Sequence, residues 1–218
     1  MAAASRLELV VVRHGLTQWN IERRYQGQRD IPLQLPEAAA GLVRLREVLG
    51  SYRFDTLYCS DLVRCRQTLA HLVEGREEAR TARFDSRLRE LDFGDYEGQT
   101  YAELAELPAY RAWIDSAGEQ APPGGESAAE LRQRLSAWFA EVLDGLPRVR
   151  AQQNPHRVLV VTHGGVIREL RRRFEGIGFW EGGVGQAEGR RFTFTLDERE
   201  QWQCSSSLAV PGPASGAP

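Results

Sequence analysis

LELVVVRHGLTQWN, residues 7–20, is the stretch whose reading decides the fold. Leu7–Val12 form a nearly continuous apolar run of strand length, ending in three β-branched valines. A run of that kind suits a parallel strand covered on both faces. The run stops at Arg13-His14-Gly15, with Asn20 close behind. A cation and an imidazole are unusual cargo for a strand end, and the glycine lets the backbone turn sharply and a ligand come close.

Two further strands repeat the pattern. Residues 54–59, FDTLYC, lead into Ser60-Asp61, with Arg64 a turn further on. Residues 157–162, RVLVVT, lead into His163-Gly164-Gly165. Helical periodicity is predicted for 37–50, closed by Gly50, for 60–74 behind Ser60-Asp61, for 100–117, and from Ser127 or Glu126 to about 144. Residues 20–36 and 118–127 read as loops, and 83–92 as a short strand or extended segment. Residues 190–204 read as two strands joined near Asp197-Glu198. Alternating strands and helices predict an α/β fold, three layers (α/β/α) around a largely parallel sheet. A single domain over 1–208 is expected, with an insertion around 95–126 over the sheet edge and a flexible tail at 209–218.

Composition narrows the function. The 218 residues carry a formal net charge of −2. That charge, with no interleaved basic and aromatic patch, argues against a nucleic-acid binder. No apolar stretch approaches membrane-spanning length, so no membrane partner is expected. The three cysteines, Cys59, Cys65 and Cys204, are scattered, with neither a disulfide framework nor zinc spacing. These features predict a cytoplasmic protein. The basic side chains are all arginine, which reads mainly as coding bias but leaves room for bidentate anion binding.

Of four histidines, His71 falls inside a helix and His156 in a loop, and both read as structural. His14 and His163 occupy matched strand ends beside glycine turns and arginines. Arginines repel a cation, and no carboxylate–histidine cluster completes a ligand set, so no metal is predicted. An anion is the better guest, because guanidiniums neutralise a phosphoryl group and a neutral imidazole is a nucleophile toward phosphorus.

The motifs around these residues resemble those of the histidine phosphatase superfamily, the phosphoglycerate mutase-like proteins. RHGLTQWN, YQGQRDIPL, SDLVRCRQT, LRELDFGDYEG, GGES and VVTHGGVIR follow one another in the family's order from residue 9 to about 168. The resemblance implies that His14 is a nucleophile that becomes phosphohistidine. It implies that Arg13 and Arg64 clamp the phosphoryl oxygens, that His163 stabilises developing charge, and that Glu90 protonates the leaving oxygen. Asn20 and the backbone at Gly164 would complete the pocket, with Thr17, Gln26 and Gly27 on its substrate side.

Each residue also has a plainer reading. Glu97 is a rival acid, Arg64 could pair with Asp61, Thr17 could cap a turn, and Asn20 and Gln26 could be turn formers. Cys65 stands where the family usually has alanine and reads as a small packer. The QLPEAAAG stretch and the last strands depart from the family pattern.

The family implies a phosphatase of small phosphomonoesters, such as a sugar phosphate or a nucleotide-like α-ribazole phosphate, working without a cofactor. The runner-up is a cofactor-dependent phosphoglycerate mutase using 2,3-bisphosphoglycerate. It is disfavoured because residues 99–123 hold a single arginine, Arg111, where mutases carry a substrate-gripping pair. An inactive phosphate-binding or scaffold protein is the third reading. The expected partner is a small phosphorylated substrate, and apolar edges in the last strands leave a homodimer open.

Overall fold

The computed structural model describes residues 5–146 and 154–212. Six strands, β1 (Arg6–Arg13), β2 (Thr56–Cys59), β3 (Arg83–Phe84), β4 (His156–Thr162), β5 (Gly189–Leu196) and β6 (Trp202–Val210), form one sheet in the order β3-β2-β4-β1-β5-β6. β3, β2, β4 and β1 run parallel, and β5 is antiparallel to both of its neighbours. The largely parallel sheet expected from the alternating elements is present.

Side chains along β1 alternate between two cores because successive residues of a strand point to opposite faces. Val10 and Val12 pack under α2 (Ala39–Leu49) and α3 (Val63–Leu72), against Leu42, Leu45 and Leu69. Leu7, Leu9 and Val11 pack under α6 (Ala128–Asp144) and α7 (Gly164–Glu175), against Trp138, Phe139 and Ile167. All five β1 residues are fully buried. At roughly 1.5–3 kcal/mol per aliphatic side chain, that burial holds the strand's carboxyl end rigid. The remaining helices are α1 (Gln18–Ile21), α4 (Tyr101–Leu104) and α5 (Pro108–Asp115).

Several boundaries depart from expectation. The helix expected over 100–117 is two helices. Leu107 is extended and Pro108 opens α5, as suits a proline at the first helical position. The segment 94–115 buries Tyr96, Leu104, Tyr110 and Trp113 in the α6/α7 core. Gln18–Ile21 is a short helix where a loop was expected to begin. α3 starts at Val63, and neither Ser60 nor Asp61 caps it: Asp30 Oδ1 accepts from Val63 N at 2.6 Å. β6 continues to Val210, two residues into the expected tail, and 213–218 lie outside the described residues. Ser127, not Glu126, caps α6, with Glu130 completing a capping box.

Candidate active site

The β1/β4 register sets Arg13 opposite Thr162, and His14 N donates to Thr162 O at 2.9 Å. The next residue on each chain is therefore a histidine beside a histidine. The two rings lie 5.2 Å apart, edge to face. Both are buried. Burial, reinforced by the Arg64 and Arg13 guanidiniums, pushes His14 well below the usual histidine range. Burial, then Arg64 and His14, does the same to His163. Both rings are therefore neutral near pH 7.

His14 Nδ1 lies 2.7 Å from Gly15 O. A carbonyl can only accept, so Nδ1 carries the proton and Nε2 keeps its lone pair. His163 Nε2 lies 2.8 Å from Ser60 Oγ and 3.4 Å from Cys65 Sγ. Burial holds the Cys65 thiol protonated, pushed up to about 12, and its Sγ–H contacts Thr162 O at 3.5 Å. Ser60 and Cys65 are thus the packing and hydrogen-bonding neighbours of His163, which lies beside His14 without itself lining the cavity described next.

Arg13 and Arg64 line the same cavity of about 310 Å³ as His14. Arg13 Nη1 donates to Val184 O at 2.9 Å. Arg64 donates to Arg29 O at 2.6 Å and to Gly27 O at 2.7 Å. The Nε–H of each arginine is buried without a partner, and among the described residues neither guanidinium forms an ion pair. Asp61, the alternative partner for Arg64, pairs with Arg89 at 2.6 Å. A buried guanidinium and a half-buried one, each with a buried Nε–H left without a partner, are a costly arrangement unless an anion completes them.

Glu90 enters the cavity from the other side, and its Oε1 and Oε2 accept from Gly165 N at 2.9 and 3.0 Å. Gly165 allows this because a Cβ there would overlap Glu90 Oε1. The backbone around Glu90 is held by Arg134 of α6, which donates to the carbonyls of Arg87, Arg89 and Glu90 at 2.6, 2.7 and 3.0 Å. Arg134 is itself fixed by Glu126 at 2.6 Å. Glu97, the rival acid, does not line the cavity: it accepts from Gln28 N at 2.7 Å and pairs with Arg29 at 3.3 Å, bracing the loop behind Gly27. Burial raises the Glu97 carboxyl above its ordinary value.

Asn20, Gln26, Gly27 and Gly164 also line the cavity. Gly27 has a left-handed φ of 49° and no room for a Cβ beside Glu97. Thr17 does not reach the cavity; it caps α1, and its Oγ1 contacts Asn20 Oδ1 at 3.0 Å and Gln26 Oε1 at 2.9 Å. His71 is exposed, and His156 lies 3.4 Å from Thr56 Oγ1, far from the cavity in the fold. Among the described residues no group of three or more His, Cys, Asp or Glu side chains could hold a metal ion.

The outer half of the cavity was not read from the sequence. Tyr25, Phe93, Trp113, Phe179 and Trp180 form an aromatic wall, with Arg24 and Arg168 beside it. The aromatic side chains come from four distant segments, so no local motif announces them. Arg168 alone left a signal: it stands four residues beyond Gly164, on the same face of α7.

A buried neutral histidine near two guanidiniums with unspent Nε–H groups, with a carboxyl on the same cavity, has the chemistry that phosphoryl transfer needs. Comparison with known proteins agrees. The sequence pattern of the histidine phosphatase superfamily, branch 1, matches residues 9–204. The chain is 38% identical over 166 residues to a glucosyl-3-phosphoglycerate phosphatase of Mycobacterium tuberculosis, covering 74% of this chain and 72% of that one. It is 35% identical over 170 residues to phosphoglycerate mutase-like protein 4 of Arabidopsis thaliana, covering 76% and 70%. Among solved structures, the mycobacterial glucosyl-3-phosphoglycerate phosphatase with VO3 superposes with a TM-score of 0.77 at 30% identity, covering 93% of this chain and 98% of that one. The chain belongs to the histidine phosphatase superfamily. Its relatives named as phosphatases of small phosphate esters bear out the expectation of a phosphoric monoester hydrolase. No described helix is long and apolar enough to cross a membrane.

Proposed function

We propose that the protein hydrolyses small phosphomonoesters in two steps through a phosphohistidine at His14. His14 Nε2 attacks phosphorus in line with the ester oxygen. Arg13 and Arg64 hold the non-bridging oxygens, and His163 donates to them as charge builds. Glu90 gives its proton to the departing alkoxide, so the alcohol leaves neutral. Water then attacks the phosphohistidine, Glu90 takes its proton, and inorganic phosphate and free His14 are restored. Asn20, Gln26, Gly27 and the Gly164 backbone shape the pocket. The roles of Arg13, His14 and Arg64 rest on one observation above all, the committed Nδ1–H of His14 beside two buried guanidinium Nε–H groups without partners. Thr17 is kept as a cap, one step removed from substrate.

The reading needs neither metal nor cofactor, since this chain's own side chains supply the charge and the proton. Two substrate types stand first: a sugar phosphate, as the name of the M. tuberculosis relative suggests, and a nucleotide-like phosphate, for which the aromatic wall offers a stacking surface. A mutase using 2,3-bisphosphoglycerate is the second reading, favoured by the name of the Arabidopsis relative. Against it, Arg111 is exposed and outside the cavity. Free Cys59, Cys65 and Cys204 support a reducing, cytoplasmic setting. A homodimer through the edge strand β6, where Leu208 is exposed, is the simplest assembly.

The test is p-nitrophenyl phosphate hydrolysis by wild type and His14→Ala, followed by 3-phosphoglycerate with and without 2,3-bisphosphoglycerate. Turnover abolished in the variant supports the phosphatase. Wild type without turnover returns the protein to a phosphate-binding scaffold. Isomerisation outpacing phosphate release makes it a mutase.

A further inference from the structure

The SDLVRCRQT segment lends Arg64 to the cavity, while its last residue, Thr68, lies behind the nucleophile without lining that cavity. Thr68 stands on α3 one turn after Arg64 and is fully buried. Its Oγ1 donates to Arg64 O at 2.8 Å and accepts from Gly15 N at 2.9 Å. The partners settle both directions, because a carbonyl can only accept and an amide N–H can only donate.

The turn after β1 depends on that hydroxyl. The backbone of His14 is held on both sides: its N donates to Thr162 O at 2.9 Å, and its O accepts from Ala187 N at 3.2 Å. Leu16 O accepts from Gln34 N at 2.8 Å. Gly15, between them, has no backbone partner among the described residues. Thr68 holds its N–H, and its carbonyl meets His14 Nδ1. Gly15 is buried, and a Cβ there would come within 3.2 Å of side-chain carbons of Leu33 and Leu42. Those leucines offer the Gly15 amide no substitute for the threonine hydroxyl, so its loss leaves a buried donor unsatisfied. The Gly15 carbonyl in turn decides which ring nitrogen of His14 bears the proton. Bonded to it, Nδ1 is protonated and Nε2 keeps its lone pair. Freed from it, the ring can take the Nε2–H tautomer, which has no lone pair at Nε2 to attack phosphorus. The same hydroxyl is bonded to the Arg64 carbonyl, so one side chain ties the nucleophile's turn to the helix turn that carries the guanidinium.

We propose that Thr68 is a positioning residue that acts through Gly15: it holds His14 in the Nδ1–H tautomer and in register with Arg64. This rests on the phosphatase reading and adds to it a residue that touches no substrate. Arg64 keeps its own anchors, Gly27 O and Arg29 O, whether or not the hydroxyl is present. Loss of the hydroxyl therefore strikes the chemical step and spares phosphate binding.

The test compares Thr68→Val, which keeps the shape and removes the hydroxyl, with Thr68→Ser, which keeps the hydroxyl. Three quantities are read: kcat on p-nitrophenyl phosphate, binding of inorganic phosphate by calorimetry, and the His14 tautomer from the ring-nitrogen NMR shifts of histidine-labelled protein. The expected wild-type ring is Nδ1–H. Thr68→Val is expected to lose about tenfold to a hundredfold in kcat, to show the Nε2–H form, and to bind phosphate no more weakly. Thr68→Ser restores most of the rate and the wild-type tautomer. If Thr68→Val does not fold, the same contrast is read between Thr68→Ser and Thr68→Cys, which differ only in oxygen against a weakly accepting sulfur. An unchanged rate without the hydroxyl overturns the proposal. So do equal losses in the variants with and without it, a loss of rate with the tautomer unaltered, and a loss matched by weaker phosphate binding. A wild type that turns over p-nitrophenyl phosphate with an Nε2–H ring at His14, which needs no variant to fold, overturns it and leaves the phosphatase standing. Wild type without p-nitrophenyl phosphate turnover overturns both readings together.

Discussion

Gly165→Ala separates the proton-transfer role of Glu90 from the stability of the fold. The amide of Gly165 donates to both carboxylate oxygens, and a methyl group there would overlap Oε1. The carboxylate must rotate away, losing its place in the cavity. Loss of general acid catalysis costs about 10²–10⁴-fold in rate, which is about 3–5 kcal/mol of barrier. Partial displacement points to the lower end, about a hundredfold in kcat. Stability should move little or in the opposite direction. Gly165 has no left-handed φ and lies in the first turn of α7, where alanine is favoured over glycine by up to about 1 kcal/mol. The assay is kcat on an alkyl phosphate and on p-nitrophenyl phosphate, beside urea unfolding. The alkyl ester, whose leaving group needs the proton, should lose far more than the aryl ester. Equal losses on both esters, or an unchanged alkyl rate, would refute the assignment of Glu90 as the acid.

Arg134→Ala should act on the same carboxyl from behind. It removes three donors to the carbonyls of residues 87, 89 and 90, and the expected result is a loss of about 1–3 kcal/mol in denaturant unfolding, with kcat falling more than KM rises. Gly27→Ala places a side chain on a left-handed backbone against Glu97 and slackens the loop whose carbonyl holds Arg64. It should destabilise by more than about 1 kcal/mol and weaken binding of inorganic phosphate, read by calorimetry. Stability should also fall in mild acid. His14 and His163 resist protonation when folded, whereas unfolded histidines take up protons as pH drops through about 6.5. The unfolded chain then binds more protons, so this contribution is whole above that pH and is lost below it, at about 1.4 kcal/mol per pH unit for each histidine. His163→Ala should flatten the slope of unfolding free energy between pH 6.5 and about 5; an unaltered slope would mean His163 does not contribute.

The parts of this molecule that the sequence made legible are those whose physics is local. Val10–Val12 announce a strand covered on both faces, and parallel pairing of β1 with β4 is enough to bring His14 beside His163. Glu90 could be named only through its motif, because what distinguishes it from Glu97 is three-dimensional: the Gly165 amide and the Arg134 clamp for one, the Gln28 amide and Arg29 for the other. Ser60-Asp61 looked like a helix cap, yet Ser60 is spent on His163 and Asp61 on Arg89, and a remote aspartate caps α3 instead. The break before Pro108 was written in the sequence, since proline opens helices more readily than it continues them. The aromatic wall was not. Tyr25, Trp113 and Trp180 belong to no shared motif and form a pocket wall only once the chain has folded.

The central claim is that phosphate passes through His14. Trapping a single turnover of radiolabelled substrate by rapid acid-free quench, then mapping the labelled peptide by mass spectrometry, tests it most directly. The expected result is an acid-labile, base-stable phosphoryl group on His14 that disappears at the rate of phosphate release and is absent in His14→Ala. Label on any other residue contradicts the account, as does steady turnover by His14→Ala with no phosphoenzyme in the wild type.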